Sequence, residues 1–138
     1  MKKIKLIAMT VLSGLVFSCS SSDDGATTSG ELTGKWYYKE YKVAGETIPY
    51  GGHEACGKDY IQLNADGTGA NVDVFSCVED PALFTYTRSG NSVTITSDGQ
   101  SDTAQITELS STTLKVKRSY DFDGDGNDEF VIEVYTRS

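Results

Sequence analysis

The chain is poor in histidine, tryptophan, cysteine and proline. It has one histidine, one tryptophan, three cysteines and two prolines among 138 residues. A hydrolytic triad needs a base beside its nucleophile, and the single histidine, His53, lies in the polar, glycine-rich stretch IPYGGHEAC. We therefore interpret His53 as an exposed loop residue. We predict no catalytic residue, no enzymatic activity and no cofactor beyond a structural metal ion.

The chain also lacks an apolar run long enough to span a membrane. Residues 6–17 are uncharged and mostly apolar, but a bilayer core of roughly 30 Å requires about 20 such residues. Lys2, Lys3 and Lys5 precede this run, as the positive segment of a secretory signal does. We therefore predict a signal peptide over residues 1–18.

The end of this signal resembles the lipobox of bacterial lipoproteins. Cys19 follows the small Ser18 and is followed directly by the polar segment SSSDDG. The resemblance implies that Cys19 is acylated, and several acyl chains anchor a protein stably. Ser22 to Asp24 resemble the surface-export signal of Bacteroidetes lipoproteins, with a plain polar spacer as the alternative. These features predict an outer-membrane lipoprotein, exposed at the cell surface, with a tether over residues 19–30.

Residues 31–138, which follow the signal peptide and the tether, form one small domain by their length. Basic residues are scarce in the chain. The whole chain has 12 lysines and arginines against 20 aspartates and glutamates. Loss of the three signal lysines leaves nine basic residues and a net charge of −11. Such a protein does not neutralise phosphates, so we predict no nucleic-acid partner.

Two cysteines, Cys56 and Cys77, remain once Cys19 is acylated. In an exported protein two thiols are expected to pair, and closing this loop stabilises by roughly 3 kcal/mol in the chain-entropy model. A metal or catalytic role for either thiol is disfavoured because His53 alone is available to assist it. We predict a Cys56–Cys77 disulfide.

The domain has no convincing helix pattern. Short runs of alternating apolar and polar residues are separated by turn signals, such as those at 66–67 and 97–100. About eight strands follow one another in hairpins, which predicts an all-β, antiparallel up-and-down barrel; a two-sheet β-sandwich is the alternative. In the last hairpin we expect one shared face for Leu114, Val116, Phe130, Ile132 and Val134.

The order of several motifs resembles that of lipocalins. The segment LTGKWYY, with Gly34 and Trp36, resembles their Gly-x-Trp opening. The segments at 56–68, 106–116 and 134–137 resemble the lipocalin-like domains of Bacteroidetes lipoproteins. The resemblance implies a small barrel in which Arg137 covers Trp36 at one end in a cation–π pair. The central Thr-Asp-Tyr motif and C-terminal helix of true lipocalins have no counterpart here, so the barrel shape transfers better than ligand carriage.

The chain has eight tyrosines, and three of them, Tyr37, Tyr38 and Tyr41, lie in the first strand. Tyrosine combines a flat apolar face with a polar tip and suits ligands or protein partners, although a small barrel is also filled by its own side chains. We expect a small apolar or amphipathic ligand at the open end. The alternative is a protein-interaction module, an inhibitor or accessory subunit, with Tyr50 as an exposed loop anchor.

The segment DFDGDGNDE (121–129) packs five acidic side chains into nine residues. Its spacing matches the first half of an EF-hand loop. Position twelve of that loop is Ile132, so Asp128 or Glu129 would have to supply the missing oxygen. The segment is a candidate structural calcium site or, alternatively, an ordinary hairpin turn with solvated carboxylates. The candidate ligands are Asp121, Asp123, Asp125, Asn127 and Glu129.

Overall fold

The computed structural model describes residues 27–138, and this part of the chain forms β-strands and no helix. Within it there is accordingly no helix that could cross a membrane. The predictions for residues 1–18 and for Cys19 lie outside the described residues. The strands are β1 (Thr27–Thr28), β2 (Gly34–Val43), β3 (Glu46–Pro49), β4 (Tyr60–Leu63), β5 (Thr68–Phe75), β6 (Val78–Ser89), β7 (Ser92–Ser97), β8 (Gln100–Leu109), β9 (Thr113–Tyr120) and β10 (Glu129–Thr136).

Eight of these strands close into an antiparallel barrel, as the hairpin pattern predicts. Hydrogen-bonded neighbours run β8-β7-β6-β5-β4-β2-β10-β9, and β9 pairs with β8 to complete the ring. In the closing pair, Gln105 lies opposite Lys117 and Leu109 lies opposite Leu114. A two-sheet sandwich would leave those edges unpaired. The barrel prediction is confirmed, and the sandwich alternative is excluded.

The short strands β3 and β4 are two halves of one return strand. Both run antiparallel to β2 along the same edge, with Pro49 of β3 opposite Glu40 and Tyr60 of β4 opposite Tyr37. Residues 50–59 leave the sheet between these two points and then rejoin it. This excursion was not expected from the sequence, because its polar, glycine-rich composition resembles that of a simple loop.

One end of the barrel is closed by Trp36. This side chain is fully buried, and its Nε1 donates to the Leu32 carbonyl at 2.8 Å. The Arg137 guanidinium lies 3.8 Å above the indole ring and donates to the Thr33 carbonyl at 2.8 Å. Gly34 has a φ of +113°, and a Cβ there would collide with the guanidinium. The Gly-x-Trp spacing is therefore a consequence of how Arg137 packs over Trp36.

The closed half of the barrel holds the hydrophobic core. The core includes Leu32, Trp36, Leu63, Val93, Ile106, Leu109, Leu114 and Tyr135. Full burial of an aliphatic side chain contributes roughly 1.5–3 kcal/mol, so this cluster is the main source of stability. The opposite end, called the mouth here, carries the turns at 44–45, 76–77 and 98–99 and the loop 121–128.

The inward face of β10 differs from the predicted one. The register with β9 places Glu133 opposite Val116 and Tyr135 opposite Leu114. Because Leu114 and Val116 line the interior, Glu133 and Tyr135 face inward, whereas Phe130 is 68% exposed. The prediction was wrong because both alternating sets of β10 residues are rich in apolar side chains, and a shift of one residue exchanges the faces. The residues assigned to the wrong face are Phe130, Ile132 and Val134, although Val134, opposite Lys115, is itself buried.

Candidate ligand cavity in the barrel

A cavity lies inside the barrel between the core and the mouth. Its volume is about 210 Å³, below the roughly 300–1,000 Å³ of pockets that enclose drug-sized ligands. Strand alternation brings its apolar wall together, because residues two apart on one strand face the same side. The wall includes Ile61, Phe84, Val93, Ile95, Ala104 and Val116. A space of this size suits a small molecule rather than a whole long-chain lipid.

One wall of the cavity carries a buried ion pair. Glu133 is 4% exposed and accepts from Arg118 Nε at 3.1 Å and from Arg118 Nη2 at 2.6 Å. Arg118 Nη1 donates to Asp102 at 3.1 Å. The hydroxyls of Tyr120 and Tyr135 donate to the Glu133 carboxylate at 3.2 and 2.7 Å. These hydrogen bonds replace the water that a buried carboxylate loses.

The surroundings raise the pKa values of Arg118 and Tyr135 within this network. Desolvation acts to lower the pKa of Arg118, but the charges and hydrogen bonds of Glu133 and Asp102 outweigh it and raise that pKa. Burial, and then the Glu133 charge, raises the pKa of Tyr135 well above 10. The wall therefore presents neutral phenols and a charged guanidinium held by two carboxylates.

Tyrosines surround a second space at the mouth, called the vestibule here. Its volume is about 390 Å³, and it shares Tyr38, Asn71, Arg118 and Glu133 with the cavity wall. The rings of Tyr38 and Tyr50 stack with centroids 4.8 Å apart and an interplanar angle of 20°. The remaining lining includes Tyr41, Tyr120, Asp59 and Asp73. The vestibule is thus more polar and more aromatic than the cavity below it.

A buried aspartate anchors the 50–59 excursion beside the vestibule. Asp59 is 2% exposed, and its carboxylate accepts from Val74 N at 2.8 Å and from the Tyr50 hydroxyl at 2.5 Å. His53 Nδ1 accepts from Asp59 N at 3.1 Å, so Nε2 carries the proton and donates to the Tyr38 carbonyl at 2.7 Å. The interpretation of His53 as an exposed loop residue was wrong, since it is half-buried with both ring nitrogens hydrogen-bonded.

A disulfide joins Cys56 to Cys77, with Cα atoms 5.6 Å apart. It ties the 50–59 excursion to the tip of the β5–β6 hairpin, where Ser76 and Cys77 have φ values of 53° and 63°. Left-handed backbone costs a non-glycine residue roughly 1–2 kcal/mol. The Glu54 carboxylate offsets part of this by accepting from the amides of Ser76 at 2.9 Å and Cys77 at 3.0 Å.

The loop between β9 and β10 gathers most of the predicted calcium ligands. Carboxylate oxygens of Asp121, Asp123, Asp125 and Glu129 lie within 4.8 Å of one another. The Asp121 carboxylate also accepts from the backbone amides of Gly124 at 2.7 Å and Gly126 at 3.0 Å. The Asn127 side chain donates to Asp125 at 3.0 Å. Because the same carboxylates cap an ordinary turn, calcium binding by this loop stays a prediction.

Arg118 and Glu133 are site residues that the sequence pattern did not single out. The sequence does contain a signal for Arg118. Leu114 and Val116 face inward, and in a strand the next residue on the same face is position 118. Glu133 has no such signal, since an acidic residue in an alternating strand is normally assigned to the solvent side. The pair became recognisable only with the register of β9 and β10.

A family model described as a lipocalin-like domain matches residues 32–116, more than half of the chain. The chain belongs to the lipocalin-like domain family. Among solved structures, an uncharacterized protein from Bacteroides eggerthii DSM 20697 is similar, with a TM-score of 0.56 and 12% identity. The likeness covers 78% of this chain and 100% of that chain, and at this identity it shows the fold alone. The comparison with curated proteins yields no match.

Membership of this family agrees with a site built for binding. Lipocalin-like barrels are generally binding folds rather than catalytic ones, and their interior suits small ligands. The disulfide is typical of proteins that reside outside the reducing cytosol. This lipocalin-like protein therefore has the covalent chemistry of an envelope or extracellular protein.

Proposed function

We propose that this lipocalin-like protein binds a small amphipathic molecule in the cavity and the vestibule. The observation that carries the proposal is an apolar cavity of about 210 Å³ that shares its polar wall with a tyrosine-lined mouth. The apolar part of a ligand would contact Ile95 and Val116, and its polar end would lie near Arg118 and Glu133. Binding is the function, and no reaction is assigned to the site.

The proposal places this activity on an outer-membrane lipoprotein exposed at the cell surface and acylated at Cys19. The described chain meets the barrel at its closed end, where Thr27–Thr28 pairs with Glu108–Leu109. Seven residues lie between positions 19 and 27, and an extended chain covers at most about 3.3–3.6 Å per residue. A closed end tethered this close to the membrane would leave the mouth directed away from it and open to solutes.

Ligand binding is tested by filling the cavity. Ala104 lies on the cavity wall, and Ala104→Leu should abolish binding because the added carbons occupy the space of the ligand. Ala70→Leu is the matched control, since Ala70 lies opposite the exposed Leu83 on the outer side of the barrel. Native mass spectrometry of each protein from its own host should show a bound small molecule in wild type and in Ala70→Leu alone. The same bound mass in Ala104→Leu would contradict the proposal.

The anchor is tested by fractionation of cells that express the full chain. Cys19→Ala should leave the membrane fraction because the acylated thiol is gone, whereas Ser20→Ala, the matched neighbour, should remain there. Digestion of intact cells by an external protease should remove the Ser20→Ala protein if it faces the medium. Membrane retention of the Cys19→Ala protein would contradict the lipoprotein proposal.

A second candidate function, binding of a protein partner, is favoured by the tip of the β5–β6 hairpin. Phe75 and Val78 lie opposite each other there and are 71% and 65% exposed. Tyr50, the anchor expected from the sequence, is instead stacked on Tyr38 and bonded to Asp59. In the variant Phe75→Ser with Val78→Ser, a protein partner that binds this tip should no longer be captured. Binding of the small ligand should be unchanged.

A further inference from the structure

The charged groups around the cavity and the vestibule are mostly of one sign. Four carboxylates line these two spaces, and the single basic side chain among their lining residues is Arg118, a formal balance of −3. No lysine lines either space. The carboxylates belong to Asp59, Asp73, Asp102 and Glu133.

The guanidinium of Arg118 is already engaged. Its Nε and Nη2 donate to Glu133, and its Nη1 donates to Asp102. Three of its five N–H donors are therefore used, and its positive charge is balanced by two carboxylates through charge-assisted hydrogen bonds, which are the strong ones in proteins. The basic group at this site therefore does not make it a carboxylate or phosphate receptor.

Three of the four tyrosines that line the vestibule leave acceptors, not donors, for a ligand. The hydroxyl of Tyr38 donates to Asn71 at 3.0 Å, that of Tyr50 to Asp59, and that of Tyr120 to Glu133. Each of these three tyrosines still offers a ligand an oxygen lone pair and a ring face, and both attract cations or N–H groups.

Asp73 adds an exposed carboxylate at the mouth. It lies near the buried Asp59, whose negative charge is the main reason that the pKa of Asp73 is raised. Because both carboxylates line the vestibule, their like charges repel each other, and a cation there would relieve that repulsion. The electrostatics of the vestibule therefore favour positive charge.

We infer that the ligand is a small organic cation, a protonated amine or a quaternary ammonium group on an apolar body. The apolar body lies in the cavity, and the cation lies in the vestibule among the carboxylates and tyrosine rings. This inference rests on the proposed function and selects one chemical class among the amphipathic molecules that the cavity accepts.

Three probes that share a phenyl body and differ in charge test the inference. They are 2-phenylethylamine, a cation at neutral pH, 2-phenylethanol, which is neutral, and 3-phenylpropionate, an anion. Each is titrated calorimetrically into the full chain in phosphatidylcholine nanodiscs, with empty nanodiscs subtracted. The amine should bind about tenfold or more tightly than the alcohol, the propionate most weakly, and added salt should weaken the amine alone.

The outcomes separate the inference from the proposed function. Equal affinities for the amine and the alcohol, or tighter binding of the propionate, would overturn the cationic class and leave small-ligand binding standing. Absence of binding for all three probes, or equal binding to wild type and Ala104→Leu, would overturn the proposed function and the inference with it.

A charge-matched pair of variants locates the cation. Asp73→Asn should weaken amine binding roughly two- to fivefold, as expected for one exposed ion pair, without changing binding of the alcohol. Glu108→Gln removes the same charge at the closed end, where Glu108 pairs with Lys115, and should change neither affinity. An unchanged amine affinity in Asp73→Asn, or an equal loss in both variants, would overturn the placement of the cation in the vestibule.

Discussion

Arg118 and Glu133 form a two-bond ion pair across β9 and β10 inside the barrel. Two guanidinium nitrogens of Arg118, at 3.1 and 2.6 Å, donate to one carboxylate oxygen of Glu133. The Glu133 side chain is 6% exposed and that of Arg118 is 35% exposed, so the pair extends from the interior to the mouth. The same contact thus stabilises the barrel wall and supplies the polar border of the proposed ligand site.

Removing one partner of this pair should destabilise the fold more than removing both. Arg118→Met leaves the buried Glu133 charge with only two phenol donors, and we expect a loss of about 3 kcal/mol in the free energy of unfolding. The double variant Arg118→Met with Glu133→Gln should recover much of that loss, because the buried charge of Glu133 is then removed as well. Urea unfolding at neutral pH measures both changes. A double variant less stable than the single one would contradict this account.

An exposed ion pair provides the control for this comparison. Lys115 and Glu108 pair at 2.5 Å with about a third of each side chain exposed. Solvent screens such pairs, so Lys115→Met should change the free energy of unfolding by less than about 1 kcal/mol. A loss as large as that of Arg118→Met would show that burial does not distinguish the two pairs.

Stability should fall as the pH rises above about 10. Burial is the main cause that raises the pKa of Tyr38, Tyr120 and Tyr135 above the ordinary value near 10. Above that pH the unfolded chain loses these protons while the folded chain keeps them, so unfolding becomes more favourable. Below it both states are protonated and these groups give no pH dependence. Urea unfolding from about pH 8 to about pH 11 should show the decline, with a shallower slope in Tyr38→Phe.

The disulfide and the Glu54 carboxylate should stabilise the hairpin tip separately. Cys56→Ser with Cys77→Ser should lower the free energy of unfolding by about 3 kcal/mol, the value for a closed loop of this length. Glu54→Gln should lower it by roughly 1–2 kcal/mol because one backbone amide loses its charged acceptor. Amide exchange at Ser76 and Cys77 should accelerate in both variants. Unchanged exchange in Glu54→Gln would mean that the disulfide alone holds the tip.

Calcium binding by the 121–129 loop is tested by thermal unfolding. If the clustered carboxylates bind the ion, millimolar calcium should raise the unfolding midpoint of wild type relative to excess EDTA, in the weak range of roughly 10⁻⁴ to 10⁻³ M. The variant Asp123→Ala with Asp125→Ala should lose that rise. Asp128→Ala, outside the cluster, is the control and should retain it. Identical midpoints with calcium and with EDTA in wild type would leave the loop an ordinary turn.

The sequence alone was sufficient to predict the barrel, its closed end and its disulfide. Short alternating runs separated by turn residues predicted eight sequential strands, because strand period and turn chemistry are local properties. Gly34 and Trp36 marked the closed end through the resemblance to lipocalins. Cys56 and Cys77 were identified as partners because they are the two cysteines that remain when Cys19 is assigned to the predicted lipid anchor. Each of these inferences needs no knowledge of register.

Tertiary structure alone decided which polar groups line the ligand site. In β10 both alternating sets carry apolar residues, so only pairing with β9 could show that Glu133 faces inward and Phe130 outward. Burial of Glu133 is acceptable because Arg118, fifteen residues earlier in the chain, reaches its carboxylate. Pairing of β9 with β10 brings them together by placing Arg118 opposite Val131. Asp59 is buried for a similar reason, since its carboxylate accepts from the Val74 amide beyond the point where the pairing of β4 with β5 ends at Tyr60–Val72. Such compensation is a property of distant groups brought together by the fold, and no local pattern contains it.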